Sequence, residues 1–162
     1  MALATGVDTT ALTVADMSRA LGFYRDLLGM EVVETKGADS DWSPEEEARW
    51  HIYHETVCGI PGARIQAVFL RAVDGTHLEL IEYKQPRVDP SPRRRLSDPG
   101  VAIVPFACND SAAVVEKLRT AGVEVIHDPV RYVLNGVTSY TTYLYDPDGN
   151  ALCLFEVVDK SS

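Results

Sequence analysis

The order of elements along the chain occurs twice, and that repetition constrains the fold more than any single motif. In the first half, Ala11 to Val14 is a short run rich in β-branched residues. Asp16 then stands where a helix cap belongs, before Met17 to Leu28, where Leu21, Tyr24 and Leu28 recur at helical spacing ahead of Gly29. Met30 to Glu34 reads as a second strand. Ala63 to Ala72 and Thr76 to Tyr83 read as two more around Val73-Asp74-Gly75, where Asp-Gly signals a hairpin. The second half follows suit. Val101 to Cys108 is strand-like, Asn109-Asp110 caps a helix over Ser111 to Thr120, and Val123 to Ile126 is predicted as a strand. Tyr140 to Tyr145 and Ala151 to Val158 flank the turn Asp146-Pro147-Asp148-Gly149. Either half alone would leave one sheet face bare, so the two are expected to pack as one curved sheet around a cavity.

Two stretches fall outside the repeat. Residues 38–60 form a polar excursion in which Ser43-Pro44-Glu45-Glu46 marks a helix start. With Trp42, Trp50 and Tyr53, this excursion is read as either a lid or an interface. Residues 84–100 hold four prolines and no apolar period, which marks a linker between module one (7–83) and module two (101–158) of a single 1–162 domain. The Arg93-Arg94-Arg95 run inside it reads as a solvated charge run, with an anion grip as the alternative.

At 162 residues the chain is one domain long, and its net charge of −9 argues against a nucleic-acid partner. Its longest apolar run, Val101 to Cys108, is too short to span a bilayer, and MALATGVDTT lacks the pattern of a secretory signal. Three cysteines, Cys58, Cys108 and Cys153, point to a reducing compartment without a disulfide framework. The expected location is the cytoplasm.

The stretch LTVADMSRALGFYRDLLGMEVV resembles the opening module of the vicinal oxygen chelate superfamily, which includes glyoxalase I, methylmalonyl-CoA epimerase, extradiol dioxygenases and bleomycin-resistance proteins. GIPGARIQAVFLRAVDGTHLELIEYKQP is similar to the end of a first module in the epimerase and lactoylglutathione-lyase-like branch. YLYDPDGNALCLFEV resembles the superfamily's closing hairpin. The resemblance implies an α+β fold of two tandem βαβββ modules forming a half-open mixed sheet around a ligand cup, with the helices outside. It also implies a divalent metal held by residues on the first and last strands of each module. By offset from Asp16 and Asp110 and from the closing strands, those positions are Thr9, Glu79, Ile103 and Cys153. Only Glu79 keeps a ligand of the usual kind, so no metal or other cofactor is expected. An unorthodox site of His77, Glu79 and Cys153 is the alternative, because His77 shares Glu79's strand face.

Strand alternation gives an expected lining. Thr9 and Thr13 come from the first strand, and His77, Ile81 and Tyr83 accompany Glu79. With a two-residue Asp74-Gly75 turn, Gln66, Val68 and Leu70 lie opposite them. The second module contributes Ile103, Pro105, Cys153 and Phe155, joined by Tyr143 and Tyr145 or, in the other register, by Tyr140 and Thr142. Such a surface suits a small apolar or aromatic organic molecule with a few oxygen functions. Two classes of function follow. One is a metal-independent lyase or isomerase in which a desolvated Glu79 moves a proton next to a carbonyl while Gln66 polarises the oxygen. The other is a protein that binds and sequesters its ligand, as bleomycin-resistance-like members do. The retained carboxylate favours the enzyme. A homodimer is expected from the resemblance, with Phe69 or Arg71 as outward-facing candidates.

Overall fold

In the computed structural model, residues 3–4, 6–87 and 93–160 are described. The chain divides into two compact units, 1–91 and 92–162. Unit one runs β1 (Thr10–Val14), α1 (Met17–Leu21), β2 (Glu31–Gly37), α2 (Pro44–Cys58), β3 (Arg64–Arg71) and β4 (His77–Gln85). Its sheet has the order β1-β4-β3-β2, with β1 parallel to β4 and the remaining pairs antiparallel. Unit two runs β5 (Ile103–Ala107), α3 (Ser111–Thr120), β6 (Val130–Leu134), β7 (Val137–Tyr145) and β8 (Ala151–Lys160), in the order β5-β8-β7-β6. The architecture is α+β, two open four-stranded mixed sheets with three helices. No helix among the described residues is long and apolar enough to cross a membrane.

Both units are locked by the same device. Asp16 caps α1 by accepting the Arg19 N–H, and Asp110 caps α3 by accepting the Ala113 N–H, each at 2.9 Å. A carboxylate from the closing strand then reaches under each helix start. Glu82 of β4 accepts the Met17 N–H at 2.9 Å, and Glu156 of β8 accepts the Ser111 N–H at 2.8 Å and its hydroxyl at 2.6 Å. Each device satisfies donors that a helix start leaves open and sets a negative charge against the positive end of the helix dipole. Glu82 is fully buried and also takes the Lys84 ammonium at 2.8 Å. Beyond Leu21, the helix widens through Gly22–Leu27 into five-residue hydrogen bonds, closing with the Leu28 N–H on the Phe23 carbonyl at 2.9 Å. That turn buries Phe23 and Tyr24 in the unit-one core with Leu70, Leu78 and Leu80.

Two expectations are corrected. The stretch Val123 to Ile126 is not a strand; only Val125 bridges to Leu144, and the strand pairing with β7 is β6, further along the chain. Asn135 and Gly136, at φ of 51° and 77°, turn β6 directly into β7, an Asn-Gly hairpin that the sequence reading passed over. The β3–β4 connection is a three-residue loop, not two. The Ala72 N–H donates to Thr76 at 2.8 Å and the Gly75 N–H to Ala72 at 3.0 Å, with Gly75 at φ 89°. The β7–β8 turn repeats this with Asp146, Gly149 and Asn150. Elsewhere α2 starts as read, with Ser43 and Glu46 in a reciprocal capping box and Pro44 at the first helical position. The linker arginines have local partners. Arg93 pairs with Glu124 at 2.6 Å, Arg94 donates to the Pro99 carbonyl, and Arg95 pairs with Asp98 at 3.0 Å.

Candidate functional site

The third loop residue moves the β3 register by one, and a one-residue shift sends every side chain to the opposite face. Phe69 lies opposite Glu79, Ala67 opposite Ile81 and Ile65 opposite Tyr83. Gln66, Val68 and Leu70 therefore leave the Glu79 face and pair with Glu82, Leu80 and Leu78 on the α1 side. Val68 and Leu70 are buried in the unit-one core, not lining residues. Gln66 lines a separate cavity of about 360 Å³ with Asp39, Glu82, Lys84, Arg87 and Arg25, where its buried Oε1 has no hydrogen-bond partner. It cannot polarise a carbonyl held at Glu79.

The face that carries Glu79 is built from all four strands of unit one. Ala11 and Thr13 of β1 stand beside Glu79 and Ile81, with Phe69 and Ala67 beyond them. A bulge at Val33 shifts the phase of β2, so that Glu34 and Lys36 join Phe69 and Ala67 while Val32 stays with Leu70. The Lys36 ammonium lies 4.8 Å from the Phe69 ring centre and 5.7 Å from that of Trp50, with Glu34 at 3.2 Å. Glu79 is half-buried, and among the described residues no hydrogen bond or ion pair reaches its carboxyl. Burial pushes that carboxyl above the ordinary glutamate range, and the positive charge of Lys36 opposes the push.

Helix α2 covers one end of this face. Trp50 packs against Gly37, where φ is 77° and a Cβ would come within 2.7 Å of the indole. Trp42, Tyr53 and His54 surround the same indole. His54 is buried, its Nδ1–H donates to the Trp50 carbonyl at 3.2 Å, and burial lowers its pKa, which favours the neutral ring. His51 accepts the Ile65 N–H through Nδ1, which leaves Nε2–H to donate to Glu47 at 3.1 Å. The Tyr83 hydroxyl donates to Cys58 Sγ at 3.6 Å; that bond and burial push the phenol up to about 12. The excursion is thus packed on the Glu79 side of its own sheet.

The remaining candidates fall as follows. Thr9 precedes β1 and donates its hydroxyl to Asp8 at 3.1 Å, and His77 is exposed at the start of β4 opposite Arg71. In unit two, Ile103, Pro105, Tyr143, Cys153 and Phe155 share one sheet face, because Pro105 and Tyr143 both flank Cys153. Of the two registers left open, the structure has the one with Tyr143 and Tyr145 on that face. Cys153 is buried and its thiol is pushed up by burial, which disfavours the thiolate. Among the described residues, no three His, Cys, Asp or Glu side chains gather where they could hold a metal ion. A threonine, an isoleucine, a buried thiol and one carboxylate do not make a donor set for a divalent metal.

Lys36 and Phe69 are members of this site that sequence reasoning did not place there, whereas Trp50, read as part of a lid or an interface, packs on this face together with His54 and Cys58 of α2. A three-residue reading of Val73-Asp74-Gly75 would have found Phe69. Lys36 had no such signal, since strict alternation puts it with Val32 on the α1 side.

The family profile of the glyoxalase/bleomycin resistance protein/dioxygenase superfamily matches residues 6–154. A glyoxalase family protein from Bacillus cereus superposes with a TM-score of 0.77 at 18% identity, covering 98% of this chain and 100% of that one. A glyoxalase/dioxygenase from Nostoc punctiforme gives 0.61 at 20% identity, over 96% of this chain and 92% of that one. A glyoxalase family protein from Enterococcus faecalis gives 0.60 at 20% identity, over 94% and 98%. At such identities the structures speak for the fold, not the chemistry. No curated protein matches the chain. With the family profile spanning both repeats, the chain belongs to the glyoxalase/bleomycin resistance protein/dioxygenase superfamily.

Proposed function

We propose that this protein is a metal-independent lyase or isomerase that moves a proton next to the carbonyl of a small apolar or aromatic metabolite, with Glu79 as the general acid and base. The observation that carries the reading is the state of Glu79, a half-buried carboxyl without a partner among the described residues, held above its ordinary pKa by burial. A carboxyl bound into a structural ion pair would be held low and spent; this one is raised by burial, which favours the exchange of a proton with a bound molecule. Phe69 supplies a flat apolar platform beside it, and Lys36, replacing Gln66 in this role, places a positive charge over that platform.

In the forward step the Glu79 carboxylate takes the proton from the carbon next to the carbonyl. The C–H electron pair becomes a C=C bond, and the carbonyl π pair moves to oxygen as an enolate, which Lys36 stabilises. Reprotonation by Glu79 after the enolate turns its other face to the carboxyl gives an epimer, returning the proton to a neighbouring atom gives an isomer, and expelling a β-substituent with its electron pair gives a lyase product. Every outcome balances without an oxidant or a metal. Residues Thr13, Ile81 and Tyr83 from the same face complete the ligand surface in this reading.

The test is proton exchange. The purified protein is incubated in D₂O with a panel of aryl ketones and 2-oxo acids, and loss of the α-proton signal is followed by NMR, with and without EDTA. Enzyme-dependent exchange that survives EDTA, with no stoichiometric metal by elemental analysis, is the expected result. Exchange that stops with EDTA and returns with one ion per chain would replace this reading with the metal-dependent one. Ligands that raise the melting temperature without exchange would replace it with sequestration.

A further inference from the structure

Among the described residues, no strand pairs with the outer edge of β6. This strand, Val130-Arg131-Tyr132-Val133-Leu134, ends the sheet order of unit two, and all five residues are exposed, Tyr132 at 58%. Leu134 and Val137 close the Asn135-Gly136 hairpin. In a two-residue hairpin the closing pair exchanges both backbone hydrogen bonds. Val130, Tyr132 and Leu134 therefore direct N–H and C=O at β7, and the Ser139 hydroxyl reaches the Tyr132 carbonyl at 3.5 Å. Arg131 and Val133 direct theirs outward, where nothing among the described residues meets them. The edge of unit one differs. There β2 is broken by the Val33 bulge and carries Glu31, Glu34 and Lys36, the devices that discourage strand pairing. Strand β6 carries one charge and no proline or bulge, and nothing among the described residues covers its edge.

We propose that β6 pairs with β6 of a second copy of this chain, antiparallel about a twofold axis through Tyr132. Only this register fits the residues. It makes Arg131 and the partner's Val133 a hydrogen-bonded pair, and the converse pair follows by symmetry, so all four outward backbone groups are satisfied. Tyr132 meets its own copy, and Val130 meets the partner's Leu134. Sliding by two residues in one direction sets Arg131 against Arg131, and in the other direction runs Arg131 into the turn. Sliding by one sets outward groups against inward ones. A five-residue strand pair is small for an interface, so the dimer is one that dissociates on dilution.

The test is sedimentation velocity from about 1 to about 200 μM chain, a range that brackets weak interfaces of this size. The wild-type chain is expected to shift from monomer to dimer with concentration. Val133→Lys sets a lysine against the partner's Arg131 twice and is expected to weaken the dimer. Val133→Glu sets opposite charges there and is expected to tighten it by about 2- to 30-fold. Position 133 is exposed, and unchanged denaturation midpoints for both variants show that the fold is intact. Tyr132→Cys, in a Cys58→Ser background, is expected to form an interchain disulfide on mild oxidation, because residues directly opposite in a non-hydrogen-bonded pair lie within bridging distance. A chain that stays monomeric throughout overturns the proposal. So does a dimer that neither Val133 variant alters, or a Tyr132→Cys chain that does not cross-link.

Discussion

Glu79→Gln is expected to lower the rate of proton exchange by about 10²- to 10⁴-fold while leaving ligand affinity within a few-fold, because glutamine keeps the shape and loses the proton. The split between rate and affinity matters, since a residue that merely shaped the surface would move both together. Stability supplies an independent readout, and its sign is fixed by the direction of the Glu79 shift. Burial raises the carboxyl in the folded state, so between the unfolded and folded pKa values the native chain holds more protons than the unfolded one. Wild-type stability therefore falls as pH rises through that window. Glu79→Gln is expected to be more stable than wild type near neutral pH. The advantage should vanish once the medium is acidic enough to protonate the unfolded glutamate as well. Urea midpoints of both chains across pH check this, and a variant less stable at neutral pH would mean that Glu79 is paired after all.

Glu82→Ala is the substitution expected to cost the fold most. It removes the acceptor of the buried Met17 N–H and the nearer of the two carboxylates at the Lys84 ammonium, Asp39 remaining at 3.6 Å, and leaves a void beneath α1. Losing a charged acceptor for a buried donor and breaking a largely buried ion pair, discounted because Lys84 can turn partly to water, totals about 2–4 kcal/mol. Glu156→Ala removes the equivalent lock under α3, where the carboxylate is only half-buried, and a smaller loss of about 1–3 kcal/mol is expected. Denaturant midpoints rank the two. The comparison also separates the two glutamates of β4. Glu79 should matter to chemistry and cost no stability, whereas Glu82, three residues on and on the other face, should do the reverse.

That contrast shows what could be read from the residues alone. The repeated element order was legible because caps and turns are local: Asp16, Ser43 and Asp110 mark helix starts by their own side chains, and the glycines at 75 and 149 mark hairpins. The faces of the strands were less so. Glu79 was placed with Ile81 and Tyr83 correctly, since they share a strand and alternation needs no partner. Gln66, Val68 and Leu70 were misplaced because their position relative to Glu79 depended on the loop length, and one extra residue reverses the face. Lys36 was invisible for a similar reason, the bulge at Val33. Strand β6 was displaced because Val123 to Ile126 is more apolar than Val130 to Leu134, and hydrophobicity outweighed the Asn-Gly turn that fixes the hairpin. The superfamily was recognisable from the resemblance of three stretches of sequence, while the chemistry turns on which side chains share a face.

The central claim is that Glu79, which has no partner among the described residues, is a carboxyl with a raised pKa, and a carboxyl ¹³C NMR titration tests it most directly. The resonance is assigned by its absence from Glu79→Gln, and its midpoint is compared with those of exposed glutamates in the same chain. A midpoint above the exposed set is the expected result. A midpoint at or below it would show a carboxylate held by a partner, and would remove Glu79 as the proton-transferring group.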